Sequence, residues 1–284
     1  MPKGVAEEED DDCKREGNSG SPSRSLSALL TSLAQITEIL FDCDNTLVMS
    51  EDLAFEAVAD VINGVLERNK ISDRYTGPGL LTDFVGQNFR GILKSLQAKY
   101  GFQITPEEEE RLVKEEENQV VAKLEEKGQP CEGVMTVLDK LYTEKKYDLA
   151  VVSSSALRRV VASIKKTGQD RFFAENLVFS AATSLPKPTT KPDPAIYLHA
   201  MKVVGKKPEE CVAVEDSKSG ALSAIRAKIP VIAYVGSYET PEKRKEMAKT
   251  LMDLGAKVVM NHWDEFEKCI AQIENSQENV PAKM

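Results

Sequence analysis

The chain contains no run of about 18 apolar residues, which excludes a membrane-spanning helix in its sequence. It also lacks any CxxC pair, and its five cysteines (Cys13, Cys43, Cys131, Cys211, Cys269) are odd in number and widely spaced. That pattern argues against a disulfide framework or a cysteine zinc site, and a reducing cytoplasm is the expected compartment. Positive charge is in deficit too. Lys and Arg total 37 against 46 Asp and Glu, a net charge of −9. Non-specific nucleic-acid binding rests on counterion release by a basic surface, so no nucleic-acid partner is expected, and no membrane partner either.

What remains is a soluble composition, 41% hydrophobic and 29% charged over 284 residues, enough for one large or two modest domains. The first 36 residues stand apart. Glu7 to Asp12 are six consecutive acids, followed by a Gly/Ser/Pro stretch to Ser25. Such a segment buries too little apolar surface to offset its ordering entropy, so residues 1–36 read as a disordered acidic, Ser-rich tail. The acidic start does not suit a signal peptide, whereas the Ser-rich stretch from Arg24 to Ile36 leaves a transit peptide as the alternative. Residues 275–284 read as a second polar tail.

Between the tails, short apolar runs alternate with helical patterns. Thr37–Asp42, Leu149–Val152, Leu177–Ser180, Cys211–Val214, Val231–Val235 and Lys257–Met260 have the continuous hydrophobicity of strands buried on both faces. Helices are expected over Ala156–Lys166 behind a Ser155 cap and over Pro194–Val203. A third, over Pro241–Leu254, has Thr240 as cap and Gly255 as stop. The fold class is therefore α/β: a Rossmann-like parallel sheet with helices on both faces, occupying residues 37–50 and 131–274. Residues 51–130 break the alternation. Val58, Val61, Ile62, Val65 and Leu66 share one helical face, and Thr105-Pro106-Glu107-Glu108 opens a long helix ending at Gly128. An all-helical insert after the first strand would stand over the carboxyl ends of the sheet, where open α/β folds bind ligands.

Four polar clusters fall at the ends of four expected strands. Asp42-Cys43-Asp44 presents two carboxylates one residue apart. At 4 Å they would repel by about 4 kcal/mol at an effective dielectric of 20, so they need a cation or a proton, unless they sit solvated in a turn. Ser153-Ser154-Ser155 offers hydroxyls and amides to a phosphate, or simply caps a helix. Lys191, held between prolines, can neutralise an anion or lie exposed in a loop. Glu215-Asp216 would add two more carboxylates and call for Mg²⁺, or be solvated acids favoured by a helix dipole.

Taken together, in this order, the clusters resemble the haloacid dehalogenase-like superfamily of phosphotransferases. The first motif matches as Asp42-x-Asp44-x-Thr46, the second as Ser153, the third as Lys191 and the fourth as Glu215-Asp216. The insert's position resembles the C1-capped members. Ser50-Glu51 and the Lys191-Pro192-Asp193-Pro194 element are similar to the group of β-phosphoglucomutases, sugar phosphatases and phosphoglycolate phosphatases.

The resemblance implies a catalytic pair, with Asp42 as nucleophile and Asp44 as general acid and base. It implies Mg²⁺ held by Asp42, the Asp44 carbonyl, Glu215 and Asp216, and a phosphate bound by Ser153, Ser154 and Lys191. The expected activity is Mg²⁺-dependent hydrolysis of a small phosphomonoester, a phosphorylated sugar, polyol or glycolate, by a monomer. A phosphosugar mutase is the first alternative and a noncatalytic binding protein the second. Where mutases of this group carry a histidine after the Ser-Glu pair, this chain has Ala54, and its only histidines are His199 and His262. That departure favours the phosphatase. In the insert, Gln87, Asn88 and Arg90, with Ser50 and Glu51 at its base, are the expected substrate contacts. Arg90 has the alternative of pairing with a surface acid.

Overall fold

A computed structural model describes residues 35–84 and 87–278. The expected acidic tail over 1–34 lies outside the described residues, as do Val85 and Gly86. The elements, in chain order, are β1 (Glu38–Phe41), β2 (Val48–Met49), α1 (Glu51–Arg68), α2 (Gly77–Asp83), α3 (Phe89–Tyr100), α4 (Pro106–Lys127), β3 (Gln129–Pro130) and α5 (Val134–Glu144). They continue as β4 (Asp148–Ser153), α6 (Leu157–Lys166), β5 (Val178–Ser180), α7 (Ala195–Val204), β6 (Cys211–Glu215), α8 (Lys218–Arg226), β7 (Val231–Tyr234), α9 (Pro241–Leu254), β8 (Val258–Met260) and α10 (Phe266–Glu278). No helix among the described residues is long and apolar enough to cross a membrane.

Six strands form one parallel sheet in the order β5-β4-β1-β6-β7-β8. Their residues alternate between two cores, which is why each strand reads as continuously apolar. Ile39 and Phe41 of β1, Leu149 and Val151 of β4, and Val212 and Val214 of β6 pack on one face against α5, α6 and α10. Leu40, Ala150, Val152 and Ala213 face the other way, against α7, α8 and α9. The order places β1 at the centre, between β4 and β6, so the tips of these three strands open onto one region.

In chain order, helices α1–α4 fall between β1 and the other strands of the sheet, and they have an apolar core of their own, built on Val58, Ile62, Leu66, Leu93 and Leu96. Thr105 caps α4 by accepting the Glu108 amide at 3.2 Å, as its motif leads one to expect, and α9 runs from its Thr240 cap to Gly255 as read.

Four details differ from the sequence reading. Ile36, read as the last residue of the tail, is fully buried in the core. The C-terminal helix continues to Glu278 rather than stopping at 274. Residues 51–130 are not wholly helical at their edge: Gln129–Pro130 pairs antiparallel with Val48–Met49, a ribbon of two residues a side where the chain enters and leaves the insert. Finally, Ser155 does not cap α6. The N-cap is Ala156, and the Leu157 amide donates to Thr183 Oγ1 instead.

Candidate active site

The ends of β1, β4 and β6 carry the polar clusters, and the chain brings them together. Asp42 is the first residue past β1, its amide still tied to Val214 O of β6 at 3.0 Å. The backbone then turns sharply through Asn45 at φ 54°, a left-handed conformation that asparagine tolerates better than most residues. This turn lets Asn45 Oδ1 accept the Ser50 and Glu51 amides, each at 3.3 Å, while its Nδ2 donates to Glu51 Oε2 at 2.8 Å.

Lys191 is the electrostatic centre. Only 6% exposed, it donates to Asp42 Oδ1 at 2.6 Å, Glu215 Oε1 at 2.6 Å and Val152 O at 2.7 Å. Those three acceptors use all three ammonium protons. Burial alone would lower its pKa, but the two carboxylates outweigh burial and hold it above the ordinary lysine value. The Ser154 hydroxyl accepts the Lys191 amide at 3.1 Å and so anchors the loop that delivers it. Tyr197, from α7, donates to the same Glu215 oxygen.

Asp42, Glu215 and Asp216 each offer a carboxylate oxygen within 4.8 Å of the others, and all three are buried. One lysine cannot balance them. Burial, followed by mutual repulsion, pushes the Asp216 carboxyl well above the usual range. Burial likewise raises Asp42, against the opposing pull of Lys191. Glu215 Oε2 is buried without a hydrogen-bond partner among the described residues. Gly220 makes room for it: a Cβ there would come within 1.7 Å of that oxygen. Hard carboxylate oxygens, excess negative charge and an orphaned acceptor fit a divalent cation such as Mg²⁺.

The second motif acid is placed differently. Asp44 lies apart from the three-acid cluster and is held by three hydroxyls: Ser50 at 2.7 Å on Oδ1, and Ser153 at 3.1 Å and Ser155 at 2.8 Å on Oδ2. Ser153, expected on a phosphate, is fully buried, and its hydroxyl is used by Asp44 and the Ser155 amide.

A cavity of about 260 Å³ opens over this ground, lined among others by Asp42, Asp44, Ser50, Glu51, Ser154, Lys191 and Asp216. Glu215 and Ser153 lie buried beneath its lining. The insert contributes Ala54 and Phe55 as well as Glu51. A larger depression of about 610 Å³, around Glu38 and Tyr147 at the other end of the strands, holds no such acid cluster among the described residues.

Three expected substrate contacts are not brought to this cavity. Arg90 pairs with Glu109 and, at 2.8 Å, with Glu110, because the acidic first turn of α4 packs beside the start of α3. Asn88 caps α3 by accepting the Gly91 amide at 3.0 Å, and Gln87 Oε1 accepts from Ser95 Oγ at 2.9 Å. Conversely, the cavity includes Asn45, Arg159, Ser217 and Ser219, to which the sequence reading gave no role, and Ser155, which it read as a phosphate contact or a helix cap. Neither histidine lines it. His199 meets the Phe179 ring edge-on, and His262 accepts the Asp264 amide.

Comparison with known proteins agrees with this geometry. The chain is 27% identical over 206 residues to a 6-phosphogluconate phosphatase of Escherichia coli, spanning 71% of this chain and 84% of that one. It is 26% identical over 196 residues to a phosphorylated carbohydrates phosphatase of Thermotoga maritima, spanning 67% and 81%. A crystal structure of a conserved haloacid dehalogenase-like protein of unknown function from Agrobacterium tumefaciens superposes with a TM-score of 0.64 at 26% identity, over 83% of this chain and 98% of that one. The model of the haloacid dehalogenase-like hydrolases matches residues 37–228, from the first residue before β1 to just past α8. With its four acids and its serines at the tips of the central strands and its lysine reaching them from the loop after β5, the chain belongs to the haloacid dehalogenase-like hydrolase family.

Proposed function

We propose that this hydrolase is a Mg²⁺-dependent phosphatase that cleaves a small phosphomonoester, a phosphorylated sugar, polyol or glycolate, through a phosphoaspartate on Asp42. The observation that carries the reading is the division of labour between the two motif acids. Asp42 is paired with Lys191 and grouped with Glu215 and Asp216, as suits an ionised nucleophile beside a cation. Asp44 is held apart on hydroxyls, facing the same cavity, as suits a group that exchanges a proton. The names of the relatives in Escherichia coli and Thermotoga maritima favour the same substrate class.

In the first step an Asp42 carboxylate oxygen attacks phosphorus, the bond from phosphorus to the ester oxygen breaks, and Asp44 gives its proton to the departing alkoxide. In the second, Asp44 takes a proton from water, the water oxygen attacks phosphorus, and the bond to Asp42 breaks. The sum is ester plus water giving alcohol plus phosphate. Lys191 keeps Asp42 oriented and screens it from the incoming phosphate, while Ser154 fixes the lysine's loop. Bound by Asp42, Glu215 and Asp216, Mg²⁺ supplies the remaining positive charge against which a phosphate dianion can approach a carboxylate.

The helical insert, residues 51–130, serves as a cap. It bounds the cavity with Glu51, Ala54 and Phe55, and Ala54 stands where mutases of the resembled group carry a histidine, which favours the phosphatase. The test is phosphate release from a panel of phosphomonoesters with Mg²⁺, with the organic product identified. Free phosphate in step with dephosphorylated alcohol supports the phosphatase. An isomeric sugar phosphate without free phosphate would instead establish the mutase.

A further inference from the structure

Two cations line the active-site cavity, and only one of them is satisfied. Lys191 has committed its three protons to Asp42, Glu215 and Val152. Arg159, on the first turn of α6, has committed none of its side-chain donors among the described residues. Its Nε is buried with no partner. The nearest acid is Glu116 of α4, whose Oε1 lies 3.8 Å from the Arg159 Nη1, an ion pair too long for a hydrogen bond. The arginine side chain is 21% exposed and that of Glu116 12%. A guanidinium carries five donors in a planar fork matched to carboxylate and phosphate oxygens. Leaving it half-buried, unbonded and facing a cavity is costly unless an anion completes it. The phosphoryl group that reacts is claimed by Asp42 and Lys191, so the anion that meets Arg159 belongs to another part of the ligand.

We propose that Arg159 is a specificity-determining residue that selects substrates with a second anionic oxygen group, a carboxylate or a second phosphate, remote from the phosphoryl group that is cleaved. The inference rests on the phosphatase reading above. Glu116 is the internal counter-ion: it balances Arg159 loosely when the cavity holds no ligand and competes with the substrate's anion for the same fork. Because α4 belongs to the insert and α6 to the sheet domain, the pair also brings the substrate's distal group to the seam between them.

The test compares three substrates of equal carbon chain length: an aldonic acid phosphate, a sugar bisphosphate and a polyol monophosphate, with p-nitrophenyl phosphate as a probe lacking any distal group. For the wild type, kcat/KM is expected to be higher for at least one of the two doubly anionic substrates than for the polyol phosphate. Which of them is preferred tells carboxylate from phosphate. Arg159→Gln should lower that preference about 10- to 100-fold, the range of a lost charged hydrogen bond. Arg159→Lys should recover part of it, and Glu116→Gln, by removing the competitor, should increase it. If Arg159 only fastens α6 to α4, then both Arg159→Gln and Glu116→Gln will change all substrates by the same factor, and the proposal is overturned. A wild type that does not prefer either doubly anionic substrate also overturns it while leaving the phosphatase reading intact. Failure to release phosphate from any substrate, p-nitrophenyl phosphate included, overturns the phosphatase reading and this inference with it.

Discussion

The Ser50 hydroxyl donates to Asp44 Oδ1 at 2.7 Å instead of capping the helix at whose N-terminus it sits. Asn45 takes over at that helix end, accepting the Ser50 and Glu51 amides on its side chain. The serine is thereby freed to tie the proposed proton donor to the segment that leads into the insert, so the position of Asp44 depends on the base of the cap.

Ser50→Ala should therefore separate activity from stability. No cap is lost, so the unfolding free energy should change little. Asp44 keeps two of its three donors, and kcat for an alkyl phosphate should fall about tenfold, within the range of one hydrogen bond to a charged group. For p-nitrophenyl phosphate, whose leaving group needs no proton, the loss in a single-turnover phosphorylation step should be smaller. Equal losses for both substrates would count against the link between Ser50 and proton transfer.

The three-acid cluster makes metal dependence a stability question as well as a kinetic one. Mg²⁺ that binds only the folded chain should raise the unfolding free energy by about 2.7 kcal/mol at a hundredfold excess over its dissociation constant. Urea titrations with Mg²⁺ and with EDTA measure this directly. Asp216→Asn should abolish most of the gain, whereas Asp44→Asn should keep it, because the Asp44 carboxylate is not part of the cluster. An undiminished gain in Asp216→Asn would remove that residue from the metal site.

Far from the site, Glu38 predicts a pH dependence of folding. At the start of β1 it is 1% exposed, and its Oε1 has no partner. Burial, reinforced by the Asp148 charge, raises its pKa from 4.5 to about 7. Between those values the folded chain holds a proton that the unfolded chain has released, so stability falls as pH rises through the window. The full effect is about 3 kcal/mol. Glu38→Gln should flatten this slope: measured by urea unfolding at pH 5 and pH 8, the variant should gain on the wild type at the higher pH. A parallel pH dependence in both proteins would contradict this account of Glu38.

The reach of the sequence has a physical pattern. All six sheet strands were legible because burial on both faces demands unbroken apolar runs, as in Ile39-Leu40-Phe41, and acids follow abruptly at the tips of β1 and β6. The acids were legible for the same reason, since they stand at the tips of β1 and β6, whereas Lys191 was legible through its bracketing prolines, because it lies in the loop between β5 and α7. The ribbon of Val48–Met49 with Gln129–Pro130 was not, since two residues a side are too few to show a period. Ser155 looked like a helix cap because a hydroxyl before a helix usually is one; only the fold brings it to Asp44. Arg90 and Arg159 are the reverse cases. Each lies near a motif, but the four glutamates that follow Pro106 draw Arg90 outward, while Arg158 and Arg159 are adjacent and only packing decides which faces the cavity. Arg158 turns to Asn118, and Arg159 to the site.

The account's central claim is that Asp42 carries the phosphoryl group and Asp44 moves the protons. The most direct measurement uses Asp44→Asn with p-nitrophenyl phosphate and Mg²⁺, followed by rapid acid quench and peptide mass analysis. Attack by Asp42 needs no acid for this leaving group, but hydrolysis of the intermediate needs the missing base. The expected result is a burst of about one equivalent of nitrophenolate, with one phosphoryl group on the peptide containing Asp42 and slow turnover afterwards. Steady turnover at the wild-type rate with no phosphoryl group on that peptide would contradict the covalent mechanism.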